Sequence, residues 1–433
     1  MTLLTPEEQF IWNCAWQWRD PAPDILAGPQ DWPRVAQIGR INRMETLLRD
    51  LLIHLDVWGK LPAKAQTILQ EGADKYARNA AIMGDSLHTY LHMAAERGID
   101  TAVLKGLSIS INLYGNPAMR PGGDIDVLVR EKDVTASLDI LEEMGIGQNW
   151  PNLMHDDYYT RHHLHQQRCT EDLTLWYEIH WALDHPLTRL TIDYEGMMDR
   201  ATPGTLLNAP VCDLAWEDNL IALSVHLAKH AVYLTAVLDR PDLPRILLAD
   251  GMLMYFLDVD ELVNLHGTNL DWPQLVARCR AFGTAEMVGA VLQVCARYLD
   301  TAVPDSVLAE LPVTPPGHLK RHVMRRVAEY KTAAYLGQRQ SRLWHFLLVT
   351  NGAFILRPIR LLDLSEYLFP GRNFLRRKYG DDSRSTAVKH TFRALGQYGR
   401  VAKDTAYFTW ERYRRLRRQD YSTSLFNRLE VEA

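Results

Sequence analysis

Two aspartates stand two residues apart in Arg120-Pro-Gly-Gly-Asp124-Ile-Asp126-Val-Leu-Val129. The branched content of this run predicts a strand, and on a strand residues two apart share a face, here roughly 6–7 Å apart. Ile125, Val127 and Val129 then take the opposite face, where they are available for burial. A carboxylate pair entered through glycines suits a hard cation such as Mg²⁺, with substrate phosphates completing its shell. The glycines, Gly123 among them, keep bulk away from approaching phosphates. Upstream, Leu104-Lys105-Gly106 closes a short apolar run. Gly106 opens a helix whose free N–H groups form an anion site, and Lys105 adds charge to it. Arg120, a short loop from the pair, is positioned to neutralise phosphate charge.

The chain carries its own control for the aspartate pattern. Asp258-Val-Asp260 repeats the spacing inside Met252–Val263, which has helical periodicity. On a helix residues two apart diverge by about 200°, so that pair does not clasp one ion and reads as a helix face.

The elements around the pair form a pattern. A helix is expected between Pro62 and Gly98, with only Gly72 and Gly84 against it. Thr101–Leu104 reads as a strand, followed by a helix to about Tyr114. After the Asp124–Val129 strand comes an amphipathic helix from Glu131 to Met144. Leu173–His180 is a third strand. The unit from about 100 to 182 is thus strand–helix–strand–helix–strand, a small α/β core. Beyond Pro186 the periodicity is almost wholly helical, with helices expected over 214–238, 245–265 and 273–282. Pro312-Val-Thr-Pro-Pro316 reads as a linker. The organisation expected is a helical region over 1–99, an α/β core over 100–186, a helical region over 187–311 packed on it, and a helical region over 317–433.

Composition bounds the class. With 433 residues, 47% hydrophobic and 23% charged, two or three packed units are expected and a disordered chain is excluded. No apolar run reaches the roughly 18 residues of a membrane helix. The nearest is Leu343–Leu356, broken by His345, Asn351 and Gly352. The start, MTLLTPEEQF, is acidic and lacks the apolar stretch of a signal peptide. Five scattered cysteines, Cys14, Cys169, Cys212, Cys279 and Cys295, form no CxxC pair, so a cytoplasmic setting is expected. The net charge of −5 hides an asymmetry. Residues 318–433 hold 24 of the 48 Lys and Arg but only 10 of the 53 Asp and Glu. Either this basic stretch, which includes Arg412–Arg418, faces an anionic partner such as RNA, or it docks on the acidic remainder.

The motifs together resemble the polymerase-β-like nucleotidyltransferase superfamily, and more closely its branch of uncharacterised nucleotidyltransferases. The resemblance rests on Leu104-Lys105-Gly106, on Arg120-Pro121-Gly122-Gly123-Asp124-Ile125-Asp126, and on Glu178-Ile179-His180-Trp181. A helical Leu-x-x-x-His-x-x-x-His-like element, here Ala222-Leu-Ser-Val-His226-Leu-Ala-Lys-His230, and the run Phe369-Pro370 to Leu375-Arg376-Arg377-Lys378-Tyr379-Gly380 extend it to about residue 380. It implies an α/β nucleotidyltransferase core, a small mixed sheet with flanking helices, surrounded by large helical N- and C-terminal regions. It also implies transfer of a nucleoside monophosphate from an NTP, ATP being expected, with two Mg²⁺ ions and release of pyrophosphate. Asp124, Asp126 and Glu178 are the implied metal ligands, Glu178 also helping to deprotonate the acceptor hydroxyl. Lys105, Gly106, Ser108, Arg120 and Gly123 are the implied nucleotide contacts. Leu107 stands where a serine usually follows the glycine, so either Ser108 substitutes for it or Lys105 does the phosphate work.

Other readings stay in view. The alternatives are a non-catalytic NTP-binding scaffold that keeps the fold and a helical nucleic-acid binder. The acceptor, whether small molecule, protein or RNA, is not encoded in a legible motif. His226 and His230, four apart on one helix face, suit a metal geometrically, but without HExxH a structural or substrate-contact role is favoured. His162, His163 and His165 fall in a polar loop before the third strand, where they either meet substrate or face water. His163, His180, His226 and His230 are carried forward as candidate substrate contacts.

Overall fold

A computed structural model describes residues 4–147, 163–184, 188–338 and 367–418. Helices α1 (Pro6–Gln17), α2 (Trp32–Ile41) and α3 (Glu45–His54) precede α4 (Ala63–Glu96). The long apolar periodicity of α4 outweighs its glycines, and one of them is needed. A Cβ on Gly72 would lie 2.6 Å from Cγ of the buried Glu45, so glycine lets α3 pack closely against α4.

A four-stranded mixed sheet follows, in the order β1-β2-β4-β3. Its strands are β1 (Ala102–Val103), β2 (Ile125–Leu128), β3 (His165–Cys169) and β4 (Trp176–His180). Helix α5 (Leu107–Tyr114) connects β1 to β2, and α6 (Val134–Glu143) follows β2. β2 and β4 are parallel, and β1 and β3 flank them antiparallel. One sheet face carries Val103, Ile125, Val127, Tyr177 and Ile179, which share a core with Leu87, Tyr90 and Leu91 of α4 and with α6. That is the burial expected from the alternation of β2. The other face turns Asp126, Leu128, Glu178 and His180 toward the helical body.

The strands depart from the sequence reading in two places. β3 occupies part of what was expected to be a polar loop, because His-Gln-Gln-Arg-Cys lacks the β-branched residues that announce a strand. A hairpin of β5 (Thr202–Leu206) and β6 (Ala209–Asp213) lies where helix was expected. Its turn residues Leu207 and Asn208 both have positive φ, 53° and 62°, the conformation that matches strand twist in a two-residue hairpin. The hairpin backs onto β1, with Cys212 N–H donating to the Thr101 carbonyl at 2.8 Å.

The helical body contains α7 (Trp216–His230) and α8 (Leu253–His266). The single helix expected over 245–265 is two, Leu243–Ala249 and α8. The break is at Gly251, with φ +68°, where a Cβ would sit 2.5 Å from the Ile41 carbonyl oxygen. The molecule is therefore mostly helical, with one small mixed sheet and a separate two-stranded one among the described residues. Helix α9 (His318–Tyr335) docks on this body through Arg321 and Arg325 to Asp239 and through Lys331 to Asp250. This part of the basic stretch thus meets acidic partners within the chain. Leu343–Leu356 and His162 lie outside the described residues. Among the described residues no helix is long and apolar enough to cross a membrane.

α8 is buried on nearly every side, and the Asp258–Asp260 pair is helical as expected but not a solvated face. Asp258 is 1% and Asp260 2% exposed. Burial pushes the Asp260 carboxyl up to about 7, although Thr301 Oγ1 donates to it at 2.6 Å. A carboxyl raised by folding contributes stability at pH values below its ordinary range near 3.8, and that contribution is lost as pH rises through about 7. Asp260→Asn keeps an acceptor for Thr301 and removes this loss. Thermal melts across pH should show the variant more stable than wild type at pH 8, by a few kcal/mol at most, with the gap closing near pH 4.

Candidate active site

The sheet register assembles the site. Asp126 pairs directly with Glu178 across the parallel β2–β4 ladder, and Glu178 pairs with Gln167 across β4–β3. Directly paired residues point to the same face, so these three side chains form one row. His180 and His165 are likewise paired and form the next row. Asp124 enters just before β2. Carboxylate oxygens of Asp124, Asp126 and Glu178 lie within 4.8 Å of one another. The three acids expected to converge do so.

Positive charge surrounds them. Lys105 Nζ is 2.8 Å from Asp126 Oδ2 and 3.6 Å from Asp124 Oδ1. His180 Nε2 lies 3.0 Å from Asp126 Oδ1 and 3.2 Å from Glu178 Oε2. Gln167 Nε2 donates to Glu178 Oε1 at 2.6 Å. Burial alone would raise Asp126, but Lys105 and the His180 hydrogen bond hold it below the usual carboxylate range. Glu178 is held down in the same way, its burial outweighed by His180 and Lys105. Burial would lower His180, yet its two carboxylate partners lift it to about 9. Asp124 behaves differently. Burial and the neighbouring Asp126 raise it to about 6, and Lys105 offsets this only in part.

The approach to this cluster is glycine-lined. Gly106 has φ +62°, accessible chiefly to glycine, and caps the N-terminus of α5 next to the Asp124 carbonyl. A Cβ on Gly122 would meet Gly106 Cα at 3.7 Å and Met83 at 3.3 Å, so the close backbone approach is at Gly122. Gly123 has open space around it. Ser108 sits in the first turn of α5 and accepts from Asn112 Nδ2 at 3.3 Å.

Arg120 is not directed at the carboxylate cluster. It is 6% exposed, and its Nε donates to Asp258 Oδ2 of α8 at 2.6 Å. Its backbone N–H is held by Ser110 Oγ at 3.0 Å. The sequence placed it close to the aspartates, but the long side chain runs the other way, into the helical body.

The opposite wall of the cleft is α7. Ala222, Leu223, His226 and Lys229 face Leu104, Lys105 and His180 across a small pocket. His226 and His230 pack ring against ring at 4.6 Å, and His230 stacks on Tyr255. Burial and the Lys105 ammonium push His226 well below its ordinary value, so its ring is uncharged at neutral pH. His226 lines the same pocket as Lys105 and His180, which contact the carboxylates, whereas His230 lies one turn further along α7. His163 packs against His165 at 5.0 Å. Sequence reading undervalued His165 and passed over Gln167, because their strand was not recognised. The pairing of each with a β4 site residue is the signal that would have found them.

The residues fit a divalent cation. All three acids offer oxygen, the donor that Mg²⁺ prefers. Asp126 Oδ2 is buried, makes no hydrogen bond among the described residues, and lies 2.8 Å from the Lys105 ammonium. Such an oxygen is suited to a cation.

A small mixed sheet set in a mostly helical molecule is compatible with a nucleotidyltransferase core. The model of the family described as uncharacterised nucleotidyltransferase matches residues 28–300, more than half of the chain, and the protein belongs to that family. The match begins upstream of the motifs noted in the sequence and ends before Phe369–Gly380, which forms a separate helix, Arg372–Tyr379, with its own small core. Comparison with curated proteins and with solved structures gave no match.

Proposed function

We propose that the protein transfers a nucleoside monophosphate from an NTP, ATP being the expected donor, to an acceptor hydroxyl, releasing pyrophosphate. The observation that carries this reading is the convergence of Asp124, Asp126 and Glu178 on one sheet face, beside the N-terminus of α5. Asp124, Asp126 and Glu178 would hold divalent metal, Mg²⁺ in the first instance. Metal bound there would neutralise phosphate charge and lower the pKa of the attacking hydroxyl. Free N–H groups at the start of α5, with Gly106 and Ser108, are placed to receive phosphate oxygens. Lys105 has ammonium protons beyond those directed at Asp126, and contributes charge-assisted contacts to the same phosphates. Gly123 leaves clearance for them. Glu178 accepts the acceptor's proton. The pocket wall of α7, with His226, is where an acceptor would lie, and His163 and His230 are further candidate contacts for it. Arg120 is left out of the nucleotide contacts because Asp258 engages it.

A scaffold that only bound nucleotide would have no use for the third acid, so Glu178 separates the two readings. Glu178→Gln should keep affinity for a non-hydrolysable NTP analogue, measured by calorimetry with Mg²⁺. It should cut turnover of labelled NTP by on the order of a hundredfold or more, the usual scale for a lost general base. Unchanged turnover would remove Glu178 from the mechanism.

A further inference from the structure

One nitrogen-rich group beside the aspartates is not accounted for by a site for hard ions. His165 and His180 are directly paired across β3–β4, and Glu178 lies two residues from His180 on the same face. One ligand atom from each of the three lies within 4.8 Å of the other two. His165 Nδ1 is buried, makes no hydrogen bond among the described residues, and is 3.3 Å from Glu178 Oε2. The rings of His165 and His180 meet edge to face at 4.8 Å.

The orientation of His180 is more informative. Its Nδ1 lies 3.2 Å from the Ala182 carbonyl oxygen, which can only accept, so Nδ1 carries a proton there. Nε2 is then the nitrogen aimed between Asp126 and Glu178. Histidines that bind metal show this arrangement, one ring nitrogen donating to a carbonyl and the other directed at the ion. Imidazole nitrogen is a poor partner for Mg²⁺ but a good one for the later first-row divalent ions.

We propose that His165, Glu178 and His180 form a second metal position, selective for a borderline divalent cation of the Co²⁺ and Zn²⁺ class, with Glu178 bridging it to the hard-ion position at Asp124 and Asp126. It rests on the metal-dependent reading above through the shared Glu178. It changes that reading in one respect: the two ions are chemically different, and Mg²⁺ alone does not fill both positions. A bridging carboxylate between two adjacent ions is the usual construction of two-metal phosphoryl-transfer sites. Here the donor set, two nitrogens and one oxygen, makes one of those positions soft enough to discriminate.

The test uses Co²⁺, whose visible absorption depends on its coordination geometry and donor set, titrated into the full chain in the presence of millimolar Mg²⁺. Wild type should take up one Co²⁺ with visible absorption that Mg²⁺ does not displace. His165→Ala should weaken this binding on the order of tenfold or more. His165→Gln, which keeps bulk on the strand, should do the same, and circular dichroism should show both variants folded. His226→Ala, which alters the other histidine pair near the cleft, should leave the Co²⁺ signal unchanged. Co²⁺ binding that Mg²⁺ abolishes in wild type, or that both His165 variants retain, overturns the proposal. Asp124→Asn separates this inference from the reading it rests on. That variant should retain the Co²⁺ signal, whereas its transfer activity tests the hard-ion position alone.

Discussion

Asp124→Asn should abolish nucleotidyl transfer, with turnover down on the order of a thousandfold or more, while the protein melts at least as high as wild type. Losing a group that merely orients a metal ligand commonly costs ten- to a hundredfold, and losing the ligand itself costs more. The second half of the expectation comes from the crowding of three acids. Asp124 is raised to about 6 by burial and by Asp126, so folding at neutral pH works against its ionised form. A carboxyl raised in this way contributes stability at acid pH and loses it as pH rises through about 6. Asparagine removes that opposition and leaves Lys105 paired with Asp126 at 2.8 Å. Labelled-NTP assays and thermal melts in a chelator measure the two halves. Near-normal turnover would show that Asp124 does not belong to the site.

Arg120→Ala should destabilise the fold by about 3–5 kcal/mol, the cost of leaving a buried charge without its partner. Asp258 would keep only the Tyr114 hydroxyl, at 3.0 Å. Burial already raises Asp258 despite Arg120, so the variant should take up a proton at that position as the pH falls and recover part of the loss. Denaturant titration of Arg120→Ala, of Asp258→Asn and of the double variant measures the coupling. A strongly destabilised single variant partly rescued by the second substitution identifies a structural pair. A stable Arg120→Ala with weakened NTP affinity would return Arg120 to the phosphates.

Arg120 also shows where sequence reading reached its limit. The strand of Asp124 and Asp126 was legible because its alternation is local: Ile125 and Val127 had to be buried, which fixed the face of the acids. Glu178 was legible in the same way within β4. What brought β2 and β4 side by side was suggested by family resemblance, since parallel strands pair across distant segments and carry no local sign of it. The face of a long side chain in a loop is set by whatever packs against it. For Arg120 that is α8, more than a hundred residues later. β3 was missed for a related reason. His165 and Gln167 are polar because they face the site residues of β4, and polarity is also how a loop looks. The functional role of the strand hid its structure.

Helix α4 runs through both large cores of the molecule. Ala65 and Leu69 belong to the helical core, and Met83, Leu87, Tyr90, Leu91 and Ala94 to the core beneath the sheet. Its 34 residues span about 50 Å at 1.5 Å per residue. Melting either core strips contacts from a rod that the other core also needs, which welds the two into one cooperative unit during unfolding. The same beam ties the sheet that presents the acids to α2 and α3 of the helical core.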